Sequence, residues 1–449
     1  MKNAKFGVLA AGAVLLFAAC SSGGATSAPA SAAAPASAAA PASAAAPASA
    51  AASMGTLFIG TELPMSGAET ANGEPTANGV KLFIKQQNAK GGIGGYMLDI
   101  NVQDDAVAGV HNPEQGAKNM KTLAADAKVI GVVGPYNSGV AKAELPISNE
   151  AGLLMCSPAN TNVGVTQPPE GDKYRTAHPD KISYIRTATP DNIQGPAGAN
   201  YMFTDLGLKS VYILDDTETF GVGVGDSFQA EFTKLGGTVV KRDSAPKSTT
   251  DYTPLFTAVA DKKPAGVYMA GTTPTGMGLA LKQGRTVPGF ETIPFFGPDG
   301  TTDLTPGGTQ GATITIAGPA AANVSGTVGA LHDIPDPKAF ADAYTAEFKA
   351  GPAAYSAAAY ACAQVIAASL QKAIDGGAAD PAAIREAVRA NAVTTTNKFD
   401  TVLGPLSFDK YGDNTNPYMS FYKVDLTAAG GKGDWTFIKQ QQFKDPNAP

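Results

Sequence analysis

The stretch Lys128–Glu150, KVIGVVGPYNSGVAKAELPISNE, contains the transition that decides the fold. An apolar run ends in the small polar turn Gly134–Gly139, and a segment with helical periodicity follows from Val140. The first backbone N–H groups of a helix have no partner within the helix, so they attract an anion. The hydroxyl of Ser138 at this point can either cap the helix or bind a ligand. The stretch therefore predicts a strand, a turn and a helix, with a potential anion site at the turn.

The same alternation of short β-like runs and longer amphipathic stretches continues in both directions from about Thr56. The first series of apolar runs is TLFIGTE, MLDINVQD, KVIGVVG and LLMCSP, with predicted helices at Pro75–Ala89, Pro113–Ala124 and Val140–Ala151. The second series is KISYIRT, KSVYILDD, GTVVKRD, AGVYMAG and IPFFG, with predicted helices at Asp191–Leu206, Val224–Leu235, Tyr252–Asp261 and Pro274–Gly284. Strands that alternate with helices indicate βαβ units and a parallel sheet. We therefore predict an α/β fold with two doubly wound lobes and a ligand site in the crevice at the carboxyl ends of their strands.

The last part of the chain is mostly helical and closes with two strand-like runs, PLSFD and MSFYKVD. The stretch Ala354–Leu370 is apolar enough to raise the question of a membrane span. It is dominated by alanine and carries four polar or aromatic residues with polar groups, so we predict a buried core helix instead. The predicted helices here are Pro337–Lys349, Ala354–Ile374 and Pro381–Ala390.

The composition excludes several classes of protein. The chain has 449 residues, a net charge of −6 and a pI of about 5.2. It has no basic stripe interleaved with aromatic residues, so nucleic acid is not expected as a partner. The three cysteines, Cys20, Cys156 and Cys362, form no CxxC or Cys/His cluster, which argues against zinc, iron–sulfur and a disulfide framework. We expect Cys156 and Cys362 to be buried as small apolar residues.

The N-terminus predicts export. Lys2 and Lys5 precede the apolar run Phe6–Ala19, which has the length of a signal-peptide h-region. The run ends in LFAAC, which resembles the lipobox of bacterial lipoproteins, and this resemblance implies that Cys20 becomes the lipid-modified first residue of the mature protein. Ordinary cleavage after an A-x-A-like site is the alternative. We predict a signal peptide over residues 1–19 and an extracytoplasmic protein anchored to the membrane by lipid.

A low-complexity Ala/Pro/Ser tract follows Cys20. It has no charge and no large apolar group, so it cannot bury enough surface to offset its ordering entropy. We predict that residues 20–54 form a disordered tether, partly extended by its prolines.

Motifs for catalysis and for cofactor binding are absent from the sequence. There is no G-x-S-x-G elbow, and the three histidines stand in loop-like contexts that suit a rigid general base poorly: His111, His178 and His332. One glycine cluster has the spacing GxGxG where a dinucleotide fingerprint has GxGxxG: Gly221, Gly223 and Gly225. We therefore predict a protein that is not an enzyme and that uses no cofactor or metal.

A colinear series of motifs resembles one known family. The stretch PMSGAETANGEPTANGVKLFIKQQNAKGGIGGYMLDINVQDD is similar to the opening of type I periplasmic binding proteins, the branched-chain amino-acid (Leu/Ile/Val) receptors of ABC importers. Further matches follow in order, from VVGPYNSGVAKAELPI and LLMCSPANTNVGVT through YIRTATPDNIQGPAGANY, FGVGVGDSF, GVYMAGTTPTGMG and FFGPDG to AYSAAAYACAQVIAASLQKA and LGPLSFDKYGD. The resemblance covers nearly everything from Leu57 to Val424.

The resemblance implies two discontinuous lobes joined by a hinge of three crossing segments, which suits a clamshell that closes over its ligand. We place the crossings near Thr187, Ile316 and Phe408. The expected first lobe then comprises residues 55–187 and 317–407, and the expected second lobe comprises residues 188–316 and 408–449.

The resemblance also implies a set of ligand-binding residues. Ser138 matches a serine that binds the ligand carboxylate, and Ala159 and Thr161 match positions that give a backbone amide and a hydroxyl to the same carboxylate. Asp299 stands where amino-acid receptors carry an acid that pairs with the ligand ammonium. Ser138 as a plain helix cap, and Thr161 and Asp299 as plain turn residues, are the structural alternatives.

Several positions depart from the family pattern. The family acid is commonly Glu, whereas Asp299 is one methylene shorter. Phe220 occupies a position often filled by Tyr, and Thr272 and Thr273 replace aromatic residues. Near the ligand side chain we expect three polar residues: Asn72, Tyr136 and Tyr355.

Because this wall is polar, several classes of ligand are compatible with it: small or polar amino acids, amides, urea and carboxylates. The expected partners are this ligand, the permease of an ABC importer and the membrane through the lipid anchor. We expect a monomer, and a receptor that reports to a signalling partner is the alternative.

Overall fold

The computed structural model of the chain describes residues 54–305, 309 and 312–447. The predicted signal peptide, the lipidation site Cys20 and all but the last residue of the predicted tether lie outside these residues, so all three stay predictions. Within the described ranges, none of the helices combines the length and the apolar character needed to cross a membrane.

The described residues form strands and helices in alternation over most of the chain. The strands are β1 Gly55–Leu63, β2 Tyr96–Asp104, β3 Ala106–Val107, β4 Val110–His111, β5 Val129–Val133, β6 Met155–Ser157, β7 Tyr184–Arg186, β8 Ser210–Asp215, β9 Thr238–Ser244, β10 Gly266–Ala270, β11 Phe295–Gly297, β12 Val324–Val328, β13 Phe399–Thr401, β14 Gly404–Leu406, β15 Tyr418–Asp425 and β16 Asp434–Gln442. The α-helices are α1 Thr70–Ala89, α2 Pro113–Ala125, α3 Ser138–Ala151, α4 Asp191–Asn200, α5 Thr219–Lys234, α6 Thr253–Thr257, α7 Gly278–Gly284, α8 Thr313–Ala317, α9 Pro337–Phe348, α10 Ser356–Asp375, α11 Pro381–Ala392 and α12 Ala428–Gly431.

Two mainly parallel sheets organise these elements, which confirms the predicted α/β fold class. The first sheet has five parallel strands in the order β2-β1-β5-β6-β7. The second has seven strands in the order β16-β15-β12-β11-β10-β8-β9, of which β15 and β16 run antiparallel to their neighbours. We use the terms first lobe and second lobe for the elements packed around the first and the second sheet.

The position of β12 corrects one expected boundary. We expected the chain to return to the first lobe near Ile316, but β12 pairs with β11 and β15 in the second sheet. Residues 317–328 therefore belong with the second lobe, and the crossing lies after Val328. The sequence VSGTV gave little sign of this strand because glycine and serine have low strand propensity.

The core of the first lobe is completed by segments from both ends of the chain. Helix α10 packs beneath the first sheet, with Ile366 and Leu370 fully buried among residues of β1 and β5. The interpretation of Ala354–Leu370 as a buried core helix is thereby confirmed. Residues of α11 and Phe399, Leu406 and Phe408 join the same cluster.

Two helices begin five residues earlier than the sequence patterns indicated. Helix α1 starts at Thr70, five residues before Pro75, and α5 starts at Thr219, five residues before Val224. Glycine, which disfavours helix, occurs in both of these first turns, at Gly73 and at Gly221 and Gly223. The carbonyl of Pro75 accepts hydrogen bonds from the Tyr344 and Ser356 hydroxyls, at 2.9 Å each, so tertiary contacts stabilise this part of the helix.

Cys156 and Cys362 form a disulfide, which corrects the expectation of two unpaired cysteines. Cys156 lies on β6 and Cys362 on α10, and their Cα atoms are 5.6 Å apart although the residues are 206 positions apart in sequence. The expectation of buried positions was right, since both side chains are fully buried. Disulfides persist in oxidising compartments outside the cytoplasm, which agrees with export.

Reduction of this disulfide is expected to lower the free energy of unfolding by about 2–4 kcal/mol, because the bond removes entropy from an unfolded chain that it closes into a long loop. Urea denaturation with and without a thiol reductant measures the difference. The Cys156→Ser/Cys362→Ser variant is the control, since its midpoint should not respond to the reductant. Equal midpoints for the oxidised and reduced wild type would contradict the prediction.

A buried ion pair links two of the crossing segments. The guanidinium of Arg186, at the end of β7, donates from Nε to Asp413 Oδ1 at 2.7 Å, and both side chains are almost wholly inaccessible to solvent. Arg186 also donates to the carbonyls of Asn160 and Asn162 at 3.3 and 2.8 Å and to the hydroxyl of Thr166 at 3.0 Å. The pair therefore fixes the loop after β6 to the segment that carries Asp413.

Candidate functional site

A small cavity lies where strands of the two sheets end. Its walls come from the turn after β5, the loop after β6, the start of α5 and the turns after β10 and β11. The lining residues are Tyr136, Asn137, Ser138, Ala159, Thr161, Phe220, Thr272, Asp299 and Gly300. Seven of the ten residues predicted to bind ligand are thus brought together, at the carboxyl ends of parallel strands as expected for an α/β fold.

Ser138 is the first residue of α3 and is buried at 3% exposure. The capping position belongs to Asn137, whose side chain makes no capping bond. The Ser138 hydroxyl accepts a long bond of 3.4 Å from the backbone N–H of Asn162. Because the hydroxyl is not used as a helix cap, the structure disfavours that alternative and leaves Ser138 facing the cavity beside the helix-start amides.

The loop after β6 supplies the adjoining part of this wall. The hydroxyl of Ser157 accepts from the N–H groups of Ala159 and Asn160 at 3.3 and 2.9 Å, which holds the loop in a tight turn. The carbonyl of Thr161 accepts from the N–H of Asp191 at 2.7 Å. These bonds give the lining residues Ala159 and Thr161 fixed positions next to Ser138.

Asp299 forms the opposing wall and is held on both oxygens. Its Oδ1 accepts from Gln194 Nε2 at 2.8 Å, and its Oδ2 accepts from the hydroxyl of Tyr355 at 2.5 Å. Its backbone N–H donates to Gln194 Oε1 at 3.1 Å. Tyr355 belongs to the first lobe, so its bond to Asp299 joins the two lobes at the cavity.

Burial raises the pKa of Asp299 to about 6, although the bonds from Tyr355 and Gln194 oppose the shift. A second carboxyl, Asp191, lies beside it and accepts from the same Gln194 Nε2 at 3.1 Å. Burial, and next the charge of Asp299, raise the pKa of Asp191 to about 7. Near neutral pH this wall carries one or two negative charges without a cationic side chain among its hydrogen-bond partners.

Phe220 and Gly300 complete the floor of the cavity. Phe220 is 8% exposed and lies next to Gly300, where an added Cβ would come within 2.7 Å of the Phe220 ring and 2.6 Å of the Gly271 carbonyl. Only glycine fits this close approach. Thr272 lines the cavity, with its hydroxyl 3.0 Å from that of Thr275.

Three predicted residues do not line the cavity. The Thr273 hydroxyl turns into the second lobe, where it bonds to Asp303 and Thr313 at 3.2 and 2.5 Å. Tyr355 stands directly behind the lining, with its ring edge-on to Tyr136 at 5.5 Å between ring centroids. The described contacts of Asn72 stay within α1, where its carbonyl accepts from the Thr76 hydroxyl at 2.7 Å.

Four residues of the site escaped prediction from sequence: Asn137, Asp191, Gln194 and Gly300. Asp191 and Gln194 lie in the quoted motif YIRTATPDNIQGPAGANY, but an acid that follows proline at a helix start has the ordinary signature of a helix terminus. Gly300 sits in a Pro-Asp-Gly turn, where glycine is common for reasons of backbone conformation alone.

His111 departs from the sequence expectation. It lies on β4, is buried, and its Nδ1 is 2.6 Å from Glu69 Oε1, so it is rigidly held and not part of a loose loop. It does not line the cavity. No group of three or more His, Cys, Asp or Glu side chains among the described residues is arranged to hold a metal ion.

The three glycines of the GxGxG stretch lie within α5 and not in a nucleotide-binding turn. An added Cβ would lie 2.1 Å from Asp216 Oδ1 at Gly221 and 2.3 Å from Asn162 Nδ2 at Gly223. These glycines therefore permit close packing against neighbouring side chains.

A model of the periplasmic binding protein family matches residues 56–432 of the chain. The Leu/Ile/Val-binding protein BraC3 of Rhizobium johnstonii is 31% identical over 371 residues, which cover 81% of this chain and 90% of that protein.

Solved structures show the same fold. The branched-chain amino-acid transporter substrate-binding protein LivJ of Streptococcus pneumoniae, in complex with isoleucine, has a TM-score of 0.70 at 22% identity and covers 87% of this chain and 100% of LivJ. A solute-binding protein of an ABC transporter from Rhodopseudomonas palustris, in complex with 3,4-dihydroxybenzoic acid, has a TM-score of 0.67 at 21% identity and covers 87% of this chain and 97% of that one. Proteins with this fold therefore include receptors for both amino acids and aromatic acids.

Proposed function

Because this chain belongs to the periplasmic binding protein family, as an ABC transporter substrate-binding protein of the branched-chain amino acid type, we propose that it captures a free α-amino acid in the cavity between its two lobes. It then delivers this ligand to the permease of an ABC importer. Members of this family are binding proteins and not enzymes, in agreement with the sequence prediction.

One observation carries the proposal: groups that suit the two charges of an amino acid face the same cavity. Ser138, the helix-start amides of α3 and the loop with Ala159 and Thr161 offer donors to a carboxylate, while Asp299 offers a negative charge to an ammonium. Each charge-assisted hydrogen bond contributes roughly 1.5–3 kcal/mol. Three or four such bonds supply much of the ~8 kcal/mol that micromolar binding requires.

The polar wall favours a small or polar amino acid over leucine. Tyr136 and Thr272 line the cavity, and the Tyr355 hydroxyl reaches Asp299 from behind. A large aliphatic side chain placed against this wall would displace water from its polar groups and offer them no hydrogen bond in return, which costs free energy.

A second ligand class, a carboxylate that lacks an amino group, is favoured by a specific contact. Both oxygens of Asp299 already accept hydrogen bonds from Gln194 and Tyr355. With its pKa near 6, this acid can persist without an ammonium partner. The aromatic acid bound by the R. palustris protein shows that the fold admits such ligands.

We further propose that the mature protein is a monomer held outside the cytoplasm by a lipid on Cys20. The partner that receives the liganded form is a permease in this proposal and a sensor in the alternative. Permease and ATPase genes next to the gene for this protein would favour the first.

A thermal-shift screen of the purified protein against all amino acids, small amides, urea and aliphatic and aromatic carboxylates tests the proposed function. An amino acid should raise the melting temperature and should be recovered chemically unchanged. If only ligands other than amino acids bind, the proposal of an amino-acid ligand is wrong and a carboxylate without an amino group takes its place.

Ser138→Ala is expected to weaken the best ligand by about tenfold, because a hydroxyl bond to a carboxylate is lost while the helix-start amides remain. Isothermal titration calorimetry gives the dissociation constants. Ser227→Ala is the matched control, since its hydroxyl bonds only to carbonyls of its own helix. Unchanged affinity in Ser138→Ala would remove this serine from the site.

A further inference from the structure

The side chain of Asn162 bridges the two lobes at the rim of the cavity. Its Nδ2 donates to the carbonyl of Thr219, the first residue of α5, at 2.9 Å. Its Oδ1 accepts from the N–H of Gly164 in its own loop at 3.0 Å. Both ends of the amide are therefore used, one within the first lobe and one toward the second.

The two bonded residues adjoin the cavity in sequence. Asn162 follows the lining residue Thr161, and Thr219 precedes the lining residue Phe220. A change in the separation of Asn162 and Thr219 must therefore change the separation of the two cavity walls.

The second lobe makes room for this side chain with a glycine. Gly223 lies one turn after Thr219 on α5, and an added Cβ would be 2.3 Å from Asn162 Nδ2. No real Cβ tolerates so short a contact, so the amide would have to leave its place. Gly223 needs no unusual backbone conformation within α5, which leaves the close approach of Asn162 as the reason for glycine at this position.

The first lobe holds the backbone of Asn162 in place. Its carbonyl accepts from Arg186 Nη1 at 2.8 Å, and Arg186 is itself fixed by Asp413. Its N–H donates to the Ser138 hydroxyl at 3.4 Å. The backbone of Asn162, whose side-chain amide donates across the cleft, is thus held in place by hydrogen bonds. Only 7% of Asn162 is exposed.

We propose that Asn162 is a positioning residue for ligand capture: its side-chain amide holds the start of α5 against the first lobe, and so keeps Phe220 in the lining of the cavity, before any ligand is bound. This inference rests on the proposed function only in taking the cavity as the ligand site. The contact favours the closed arrangement in the free protein and thereby lowers the free energy that a ligand must supply for closure.

Two substitutions test the proposal on the full-length, ligand-free protein. Asn162→Asp keeps the acceptor for Gly164 but presents a carboxylate oxygen to the Thr219 carbonyl, and Gly223→Ala crowds the amide out of its place. Both should increase the radius of gyration in small-angle X-ray scattering and speed amide hydrogen exchange at the start of α5 by roughly threefold to tenfold, as expected for the loss of one hydrogen bond.

The pH dependence of Asn162→Asp separates the proposed role from a general effect on stability. Below its pKa the carboxyl group becomes a donor again, so the radius of gyration of the variant should return toward the wild-type value as the pH falls through the pKa of the new carboxyl, ordinarily about 4. Wild type sets the baseline over the same range. Gly351→Ala is the matched glycine control, because no atom lies within 4 Å of an added Cβ there.

Wild-type scattering and exchange in both variants would overturn the proposal. So would exchange that rises uniformly through the second lobe, or an Asn162→Asp protein that does not compact at low pH. None of these measurements needs a ligand, so a failed ligand screen and a failed inference give different results.

Discussion

Arg186→Met is expected to lower the free energy of unfolding by about 3–5 kcal/mol, because it leaves the carboxylate of Asp413 buried without its cation. The substitution also removes donors from two buried carbonyls of the loop after β6, those of Asn160 and Asn162. Urea denaturation followed by circular dichroism measures the change in midpoint and slope. The loss should be accompanied by weaker ligand binding, since the same loop carries Ala159 and Thr161.

Lys338→Met is the matched control, because Lys338 pairs with Asp342 on an exposed helix face, where solvent screening leaves such a pair little effect on stability. The double variant Arg186→Met/Asp413→Leu should recover part of the stability, since removing both charges avoids an unpaired buried one. A loss below about 1 kcal/mol in Arg186→Met would show that the pair is not a major stabilising contact.

Asp299→Asn is expected to weaken the binding of an amino acid by at least about 30-fold, as removal of one partner from a buried charge pair costs about 2–5 kcal/mol. Asparagine retains the shape of the side chain and an acceptor for Tyr355 or Gln194, so the change is chiefly one of charge. Titration calorimetry with the ligand found in the screen gives the ratio. Asp261→Asn, an exposed change in the same lobe, should leave affinity unaltered.

The pH dependence of binding follows from the same carboxyl. An ammonium binds the ionised form of Asp299, whose pKa is raised by burial to about 6. Affinity should therefore be constant well above this pH and should fall as pH drops through about 6, approaching tenfold per pH unit. Asp299→Asn should remove most of this dependence, and what remains reports on Asp191. If affinity survives in Asp299→Asn but is lost in Ser138→Ala, the ligand is a carboxylate without an ammonium.

Sequence periodicity and motif order were enough to predict two α/β lobes and most of the cavity. The sequence features that indicate a strand, a turn or a helix are local. The carboxyl ends of β5 and β6 could therefore be located from the apolar runs and the turn residues that follow them. Seven predicted residues from five separate segments line one cavity, because parallel strands bring their carboxyl ends to one edge of a sheet.

The features that were missed depend on contacts distant in sequence. The pairing of Cys156 with Cys362 follows from α10 packing under β6, which no spacing reveals. The strand β12 is held by β11 and β15 on either side, so its weak propensity mattered little. Thr272 and Thr273 are adjacent residues of the same type, so the sequence could not tell which of them lines the cavity. The hydroxyl of Thr273 instead donates to Asp303 within the second lobe. Asp191 reaches the site through its N–H bond to Thr161 and through Gln194, and both contacts require the folded arrangement.

Because the chain passes from the first sheet to the second and back, the first lobe cannot finish folding until late segments of the chain have been made. The first sheet is covered by α10, and the ribosome makes α10 only after β8 to β12 of the other sheet. A nascent chain that has been exported as far as β12 therefore leaves part of one apolar face of the first sheet uncovered, since α1 is present on that face but α10 is not. Prematurely terminated chains should aggregate for this reason. Cells that export this protein need either rapid translocation of the last quarter of the chain or a chaperone that binds the uncovered apolar surface.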